Sequence, residues 1–221
     1  MGARSHREPL VLLALVGIAL IISGWRPYER MTWILESFPV LLAVPPLVIT
    51  YSRFPLTPLA YRLLFLHALI LLLGAHYTYA QVPIGSWMQD LLELRRNHYD
   101  RLGHFAQGFI PAILTREILV RCSPLRRGKW LSFFVLCVCL AFSACYEFIE
   151  WWVALIGGIS AHSFLGTQGD IWDTQWDMFL ALLGAIAAQL TLSRQHDREL
   201  SRITQANESV ESEPRCRESS R

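Results

Sequence analysis

The stretch GTQGDIWDTQWDMFLALLGAIAAQL, residues 166–190, sets three aspartates at the start of a long apolar segment. Residues 171–192 form a segment that is long and apolar enough to cross a bilayer as a helix, which needs about 20 residues. Carboxylates are costly in hydrocarbon and are tolerated when they face a helix bundle, water or a partner. The stretch therefore predicts both a membrane helix and a polar site at its entrance.

The composition of the whole chain supports a membrane protein. Of its 221 residues, 53% are hydrophobic and only 17% are charged, and the apolar residues are clustered in blocks. This apolar content exceeds what one soluble core of this size needs. The net charge is only +2 and the arginines are scattered, so no continuous basic face indicates nucleic-acid binding. The five cysteines have no zinc-binding or disulfide spacing.

Six apolar stretches are long enough to span a membrane, which predicts an all-α polytopic transmembrane bundle. They are residues 9–25, 33–50, 59–80, 99–121, 130–152 and 171–192. The fourth is the least apolar, and a re-entrant or interfacial helix is the alternative there. Between the third and fourth stretches, the pattern of apolar residues predicts a short amphipathic helix on the outer surface.

Lysine and arginine accumulate in cytoplasmic loops of membrane proteins. Here they occur before the first span, in the loop between the fourth and fifth spans and after the sixth, while the loop before the sixth has none. We therefore expect both termini to be cytoplasmic. The predicted organisation is a cytoplasmic segment at residues 1–8, a six-helix domain at 9–192 and a tail at 193–221. The tail is rich in Ser, Glu and Arg, which predicts disorder.

Acidic residues and one histidine recur at helical spacings on the last three predicted spans. The set is Asp100 and His104 on the fourth, Glu147 and Glu150 on the fifth, and Asp170, Asp173 and Asp177 on the sixth. Residues three or four apart share one face of a helix. The fourth and sixth spans begin on the outer side and the fifth ends there, so the three polar stripes lie at one level. The sequence thus predicts that they meet near the outer surface.

Carboxylates in such a group cannot all stay ionised without cations or protons nearby. A divalent metal would compensate their charge, and carboxylates with one imidazole suit Mg, Mn, Zn or non-haem Fe. The predicted metal ligands are His104, Glu147, Asp173 and Asp177. Arginines or shared protons are the alternative compensation, and for Asp170 a simple helix-capping role is the alternative to a site role.

Two further sets of residues complete the predicted site. Glu150 and Asp100 are the candidates for a general base. Arg95, Arg96 and Arg101 lie on the same side and are candidates to hold a substrate phosphate. Arg116 and Glu117, near the cytoplasmic end of the fourth span, are interpreted instead as snorkelling and interfacial pairing.

The predicted function is a metal-dependent membrane hydrolase or transferase that acts on a lipid or envelope substrate. One alternative is a transporter in which the same acids bind a cation or proton. Another is an assembly protein whose polar residues only hold helices together. The expected partners are the lipid bilayer and a lipid or envelope substrate, and the sequence does not determine the oligomeric state.

Five segments resemble the YjdF-like family of bacterial inner-membrane proteins. They are TWILESFPVLLAVPPL (32–47), GAHYTYAQVP (74–83), NHYDRLGHFAQGFIPAILTREIL (97–119), YEFIEWW (146–152) and GTQGDIWDTQWDM (166–178). The resemblance covers roughly residues 10–192 and implies an inner-membrane location but no particular chemistry. The D-x-x-x-H-F pattern at 100–105 is also weakly similar to VanZ-like membrane proteins.

Overall fold

The computed structural model describes residues 7–157, 164 and 167–218, with side chains described up to residue 205. This part of the chain is all helical, with seven α-helices and a 3₁₀ turn at Tyr79–Gln81. The α-helices are α1 (Arg7–Gly24), α2 (Arg30–Thr50), α3 (Pro58–Tyr77), α4 (Pro83–Leu91), α5 (Tyr99–Cys122), α6 (Lys129–Gly157) and α7 (Asp173–Glu218). Residues 1–6 of the predicted N-terminal segment lie outside the described residues.

Five of these helices, α1, α2, α3, α6 and α7 up to Gln205, are long and apolar enough to cross a membrane. This agrees with the predicted polytopic bundle. The fourth predicted span, α5, does not reach the same apolar content because it carries charged residues near both ends. It has 24 residues, which corresponds to about 36 Å of helix. Its polarity is tolerated because it lies inside the bundle, packed on α3, α6 and most extensively α7.

The contact between α5 and α7 is unusually close because glycines face it from both helices. A Cβ atom on Gly108 would lie 1.7 Å from the carbonyl oxygen of Ala181, and one on Gly184 would lie 2.1 Å from that of Phe105. Small residues allow such backbone approach between membrane helices. Fully buried residues of α5 and α7, including Ile113, continue this packing below the glycines.

Both described ends of the chain lie at one end of the bundle. Glu8 of α1 pairs with Arg62 of α3 at 2.6 Å, and Glu199 of α7 accepts a hydrogen bond from the backbone N–H of Leu59 at 2.8 Å. We term this the terminal end. The opposite end, where α3 and α6 finish and α5 and α7 begin, is termed the site end.

The region after Leu192 differs from the predicted disordered tail at 193–221. Helix α7 continues without interruption to Glu218, and within it His196 is 0% and Leu200 3% exposed. The composition is too polar to form a core alone, but its polar side chains find partners on α5 and α3. The helix is therefore part of the bundle at least as far as these buried residues.

We expect Gly108→Ala to lower the thermal unfolding midpoint of the purified protein in detergent. The added methyl would overlap the Ala181 carbonyl, and forced overpacking costs about 1–3 kcal/mol. Gly17→Ala is the matched control, because no atom lies within 4 Å of a Cβ built on Gly17. Equal midpoints for the two variants would contradict the close α5–α7 contact.

Candidate functional site

Four ionisable side chains from three helices converge at the site end. The Nε2 atom of His104 lies 3.6 Å from Asp100 Oδ1 and 3.9 Å from Asp177 Oδ2, and its Nδ1 atom lies 3.8 Å from Glu147 Oε1. All four residues are buried. We term them the His104 cluster. The structure thus brings together α5, α6 and α7 residues that the helical spacing assigned to one level.

Three members of the cluster have the geometry of a metal site. Asp100, His104 and Asp177 each offer a ligand atom, and these atoms lie within 4.8 Å of one another. Ligands bound to one ion at ordinary distances are about 3–4 Å apart, a range that contains the two His104 Nε2 separations. Two carboxylates and an imidazole also suit the divalent metals expected from the sequence. The residues present therefore fit a divalent ion.

Polar atoms of the cluster are left without hydrogen bonds. His104 Nδ1, Glu147 Oε1 and Asp177 Oδ1 are buried and have no hydrogen-bond partner within the described part of the chain. Buried polar groups are normally satisfied, so each such atom requires an explanation. An ion held beside His104 Nε2 would supply it for Asp177, and closing the 3.8 Å gap between His104 Nδ1 and Glu147 Oε1 would supply it for the other two atoms. Glu147 faces the second ring nitrogen of His104, the position from which a carboxylate orients a metal-binding histidine.

The arginines near the cluster are engaged with aspartates. Arg96 contacts Asp173 most closely, and it lies 3.7 Å from both Asp100 and Asp170. Arg101 pairs with Asp170 at 2.6 Å. Asp173, a predicted metal ligand, is therefore held by Arg96 and is not in the compact group of Asp100, His104 and Asp177. A phosphate bound to these arginines would have to compete with the carboxylates.

Of the three predicted phosphate-binding arginines, Arg95 is separate from the others. Its side chain is exposed, and it forms no ion pair with the residues described up to 205. Arg96 is buried beside the cluster, and Arg101 is partly buried with its guanidinium over the ring of Trp176. The structure thus brings two of the three arginines to the site.

The segment before α5 is tied to the segment before α7. The backbone N–H of Asn97 donates to Gln168 Oε1 and the Gln168 side-chain amide donates to Asn97 O, each at 2.9 Å. The next residue, His98, lies 3.4 Å from Arg101 through its Nδ1 atom. Burial and the charges of Arg101 and Arg96 lower the pKa of His98. This frame holds Arg96 in position, and sequence reasoning assigned no role to Asn97 or Gln168.

A cavity of about 680 Å³ extends from the His104 cluster between the helices. Most of its lining is apolar and comes from α1, α2 and α3, while Asp100, His104 and Glu150 line its polar end. Glu150 also lines a second cavity of about 140 Å³, which it shares with Glu147 and Asp173. The cluster therefore opens onto an apolar space.

Glu36 is a site residue that sequence reasoning missed. It lies on α2, is 1% exposed and lines the same large cavity. Its Oε2 atom is buried without a hydrogen-bond partner within residues described up to 205. In the sequence, Glu36 is the one acidic residue within the apolar stretch 33–50. An ionisable residue in such a span indicates a functional site.

A second buried polar group lies at the terminal end. Glu117 accepts hydrogen bonds from the Thr57 backbone N–H and hydroxyl, from Arg121 at 2.7 Å and from His196 Nε2 at 3.1 Å. Since Arg116 can only donate, to His196 Nδ1 at 3.0 Å, the His196 proton is on Nε2. Glu117 is 0% and Arg116 5% exposed, so the interpretation as interfacial snorkelling is wrong. These residues fasten α7 to α5.

Comparisons with known proteins agree with the membrane character of the chain. A family model described as predicted membrane protein (DUF2238) matches residues 8–198. The inner membrane protein YjdF of Escherichia coli (strain K12) is 52% identical over 199 residues, which are 89% of this chain and 95% of that protein. No solved structure matches the chain.

We expect Glu117→Ala to destabilise the protein strongly. Removing the carboxylate would leave His196 Nε2 and the Thr57 N–H buried without their acceptor, and breaking a buried pair costs about 3–5 kcal/mol. Glu8→Ala is the control, since it removes a more exposed ion pair, a type worth about 0–1 kcal/mol. Thermal unfolding in detergent measures both, and similar losses would contradict a buried network at Glu117.

Proposed function

For this chain, a multi-pass inner-membrane protein that belongs to the DUF2238 family, we propose the function of a divalent-metal-dependent hydrolase or transferase. Its substrate is a lipid or an envelope molecule that carries an apolar chain. The observation that carries the proposal is the compact group of Asp100, His104 and Asp177 at the polar end of a large apolar cavity. This arrangement suits an amphiphile with its reacting group at the ion.

The proposed topology has six crossings, with α5 as the fourth and both termini in the cytoplasm. It is supported by the position of both described ends at the terminal end and by the basic residues of the loop between α5 and α6 at that same end. In this orientation the site end faces away from the cytoplasm. The reaction then takes place near the outer leaflet.

Each residue of the site has a distinct proposed role. Asp100, His104 and Asp177 would hold the ion, and Glu147, 3.8 Å from the other ring nitrogen of His104, would orient the ring. A divalent ion held there would supply Lewis-acid activation of water and of the substrate oxygen. Glu150 lines both cavities and is the general base that takes up the proton of the attacking water. Asp100, a general-base candidate from the sequence, is assigned to the ligand set by its proximity to His104.

The packing of the bundle favours this function over transport. Transport along α5 and α7 would need polar groups between the two ends. The middle of that interface instead holds the Gly108–Ala181 backbone contact and the fully buried Ala112, Ile113 and Ala185. An assembly role is disfavoured by a different observation. The Glu117 carboxylate has hydrogen-bond partners for both oxygens, as expected for a purely structural group. The His104 cluster retains polar atoms without hydrogen-bond partners among the described residues.

The proposed metal site predicts that the detergent-purified protein binds one equivalent of Mn²⁺ or Zn²⁺. His104→Gln and Asp177→Asn should reduce the bound metal to background, since each removes one of the three ligands. Elemental analysis after loading and desalting measures the content, and size-exclusion profiles confirm folding. Asp90→Asn is the control because Asp90 is an exposed acid on α4. Wild-type protein with no more metal than the two ligand variants would overturn the proposal.

A separate variant tests the base. We expect Glu150→Gln to retain metal and to lower turnover of a lipid or lipid-linked substrate by about 10²–10⁴-fold, the usual contribution of general acid–base catalysis. The measurement is product release from substrate-containing vesicles with matched metal content. Unchanged turnover in this variant would remove Glu150 from the mechanism without affecting the metal site.

A further inference from the structure

The large cavity has the form of a binding site for a lipid chain. Its lining follows α2 from Glu36 to Leu47 and beyond, a distance of about 16 Å at the rise of an α-helix. Its volume of about 680 Å³ lies in the range of ligand pockets, about 300–1,000 Å³. A long, mostly apolar space with its carboxylates at one end suits an amphiphile rather than a compact polar metabolite.

Glu36, at the polar end of the cavity, forms no ion pair with any side chain among the described residues. The Glu36 side chain is buried, and its Oε2 atom has no hydrogen-bond partner in the described chain. Two buried basic side chains of the site end pair with other acids, since Arg96 contacts Asp173, Asp170 and Asp100 and His104 faces its own cluster. The Glu36 carboxylate accepts a hydrogen bond from the Tyr79 backbone, so the missing donor is at Oε2, and a buried polar atom left unpaired is unfavourable. A cationic donor from the occupant would pair with Oε2 and balance the charge of Glu36.

We propose that the cavity binds a membrane lipid whose head group carries a primary amine, with its acyl chain along α2 and its ammonium at Glu36. An ammonium offers three N–H donors, and it supplies positive charge to Glu36 at the end of the cavity where Asp100 and Glu150 also lie. An anionic head group would meet these carboxylates with like charge. As an assignment of the substrate class the inference rests on the proposed function, whereas lipid binding itself does not.

The test compares two lipids with identical acyl chains. The full-length protein is exchanged into micelles that contain equal amounts of phosphatidylethanolamine and phosphatidylglycerol, and native mass spectrometry counts the lipid retained. Wild-type protein should retain phosphatidylethanolamine in preference by about tenfold or more, the factor expected for one charge-assisted hydrogen bond. Glu36→Gln, which keeps the shape and removes the charge, should abolish the preference. Equal retention of both lipids by the wild type would overturn the proposal.

Two more variants keep the test decisive. Ala43→Phe adds bulk at an exposed cavity-lining position of α2, so it should reduce retention of both lipids. This variant tests the cavity independently if Glu36→Gln does not fold. Asp90→Asn lies outside the cavity and should behave as wild type. Retention by Ala43→Phe at the wild-type level, or a preference unchanged in folded Glu36→Gln, would overturn the assignment.

The same experiment in the presence of EDTA separates this inference from the metal proposal. Amine-lipid preference should persist without metal, since Glu36 is outside the group of Asp100, His104 and Asp177. A preference in protein that binds no metal would leave the lipid site standing while the proposed reaction fails. Metal binding without any lipid preference would leave the metal site standing and contradict the proposed lipid site.

Discussion

The close contact between α5 and α7 is the constraint on which the rest of the bundle depends. With Gly108 against the Ala181 backbone and Gly184 against that of Phe105, the two helices pack backbone to backbone in the observed register. That register sets Asp177 beside His104 at one end and His196 beside Glu117 at the other. The glycine-mediated contact in the middle of the two helices therefore positions the two polar groups at their opposite ends.

The group around Glu117 and the His104 cluster differ in how their buried charged side chains are paired. Around Glu117, donors from three segments form hydrogen bonds with the carboxylate. These bonds offset the cost of burying its charge and hold the three segments rigidly together. Around His104, the carboxylates and imidazole lie at separations of 3.6–3.9 Å, longer than direct hydrogen bonds. Such separations leave room for an ion between the ligand atoms, which is why the site end carries the proposed chemistry.

The apolar cavity relates this chemistry to the membrane. Helices α1 and α2 lie on α3 and do not cover the α5 face completely, so an apolar space remains with Glu36 and Glu150 at its polar end. A substrate with an acyl chain can keep that chain in apolar surroundings while its head group reaches the carboxylates. The polarity of α5 is thus explained by position, since its polar residues face other helices and the cavity.

The sequence by itself determined the membrane class, the helices and the level of the polar stripes. Apolar length identifies a span, and spacings of three and four assign Asp100 with His104 to one face. Only the tertiary structure decided that Asp173 pairs with Arg96 while Asp177 faces His104, that Glu36 joins from α2, and that α7 continues past Leu192. Spacing determines the direction of side chains within one helix, but the rotation of one helix against another, and partners such as Glu117 and His196 from distant segments, depend on packing.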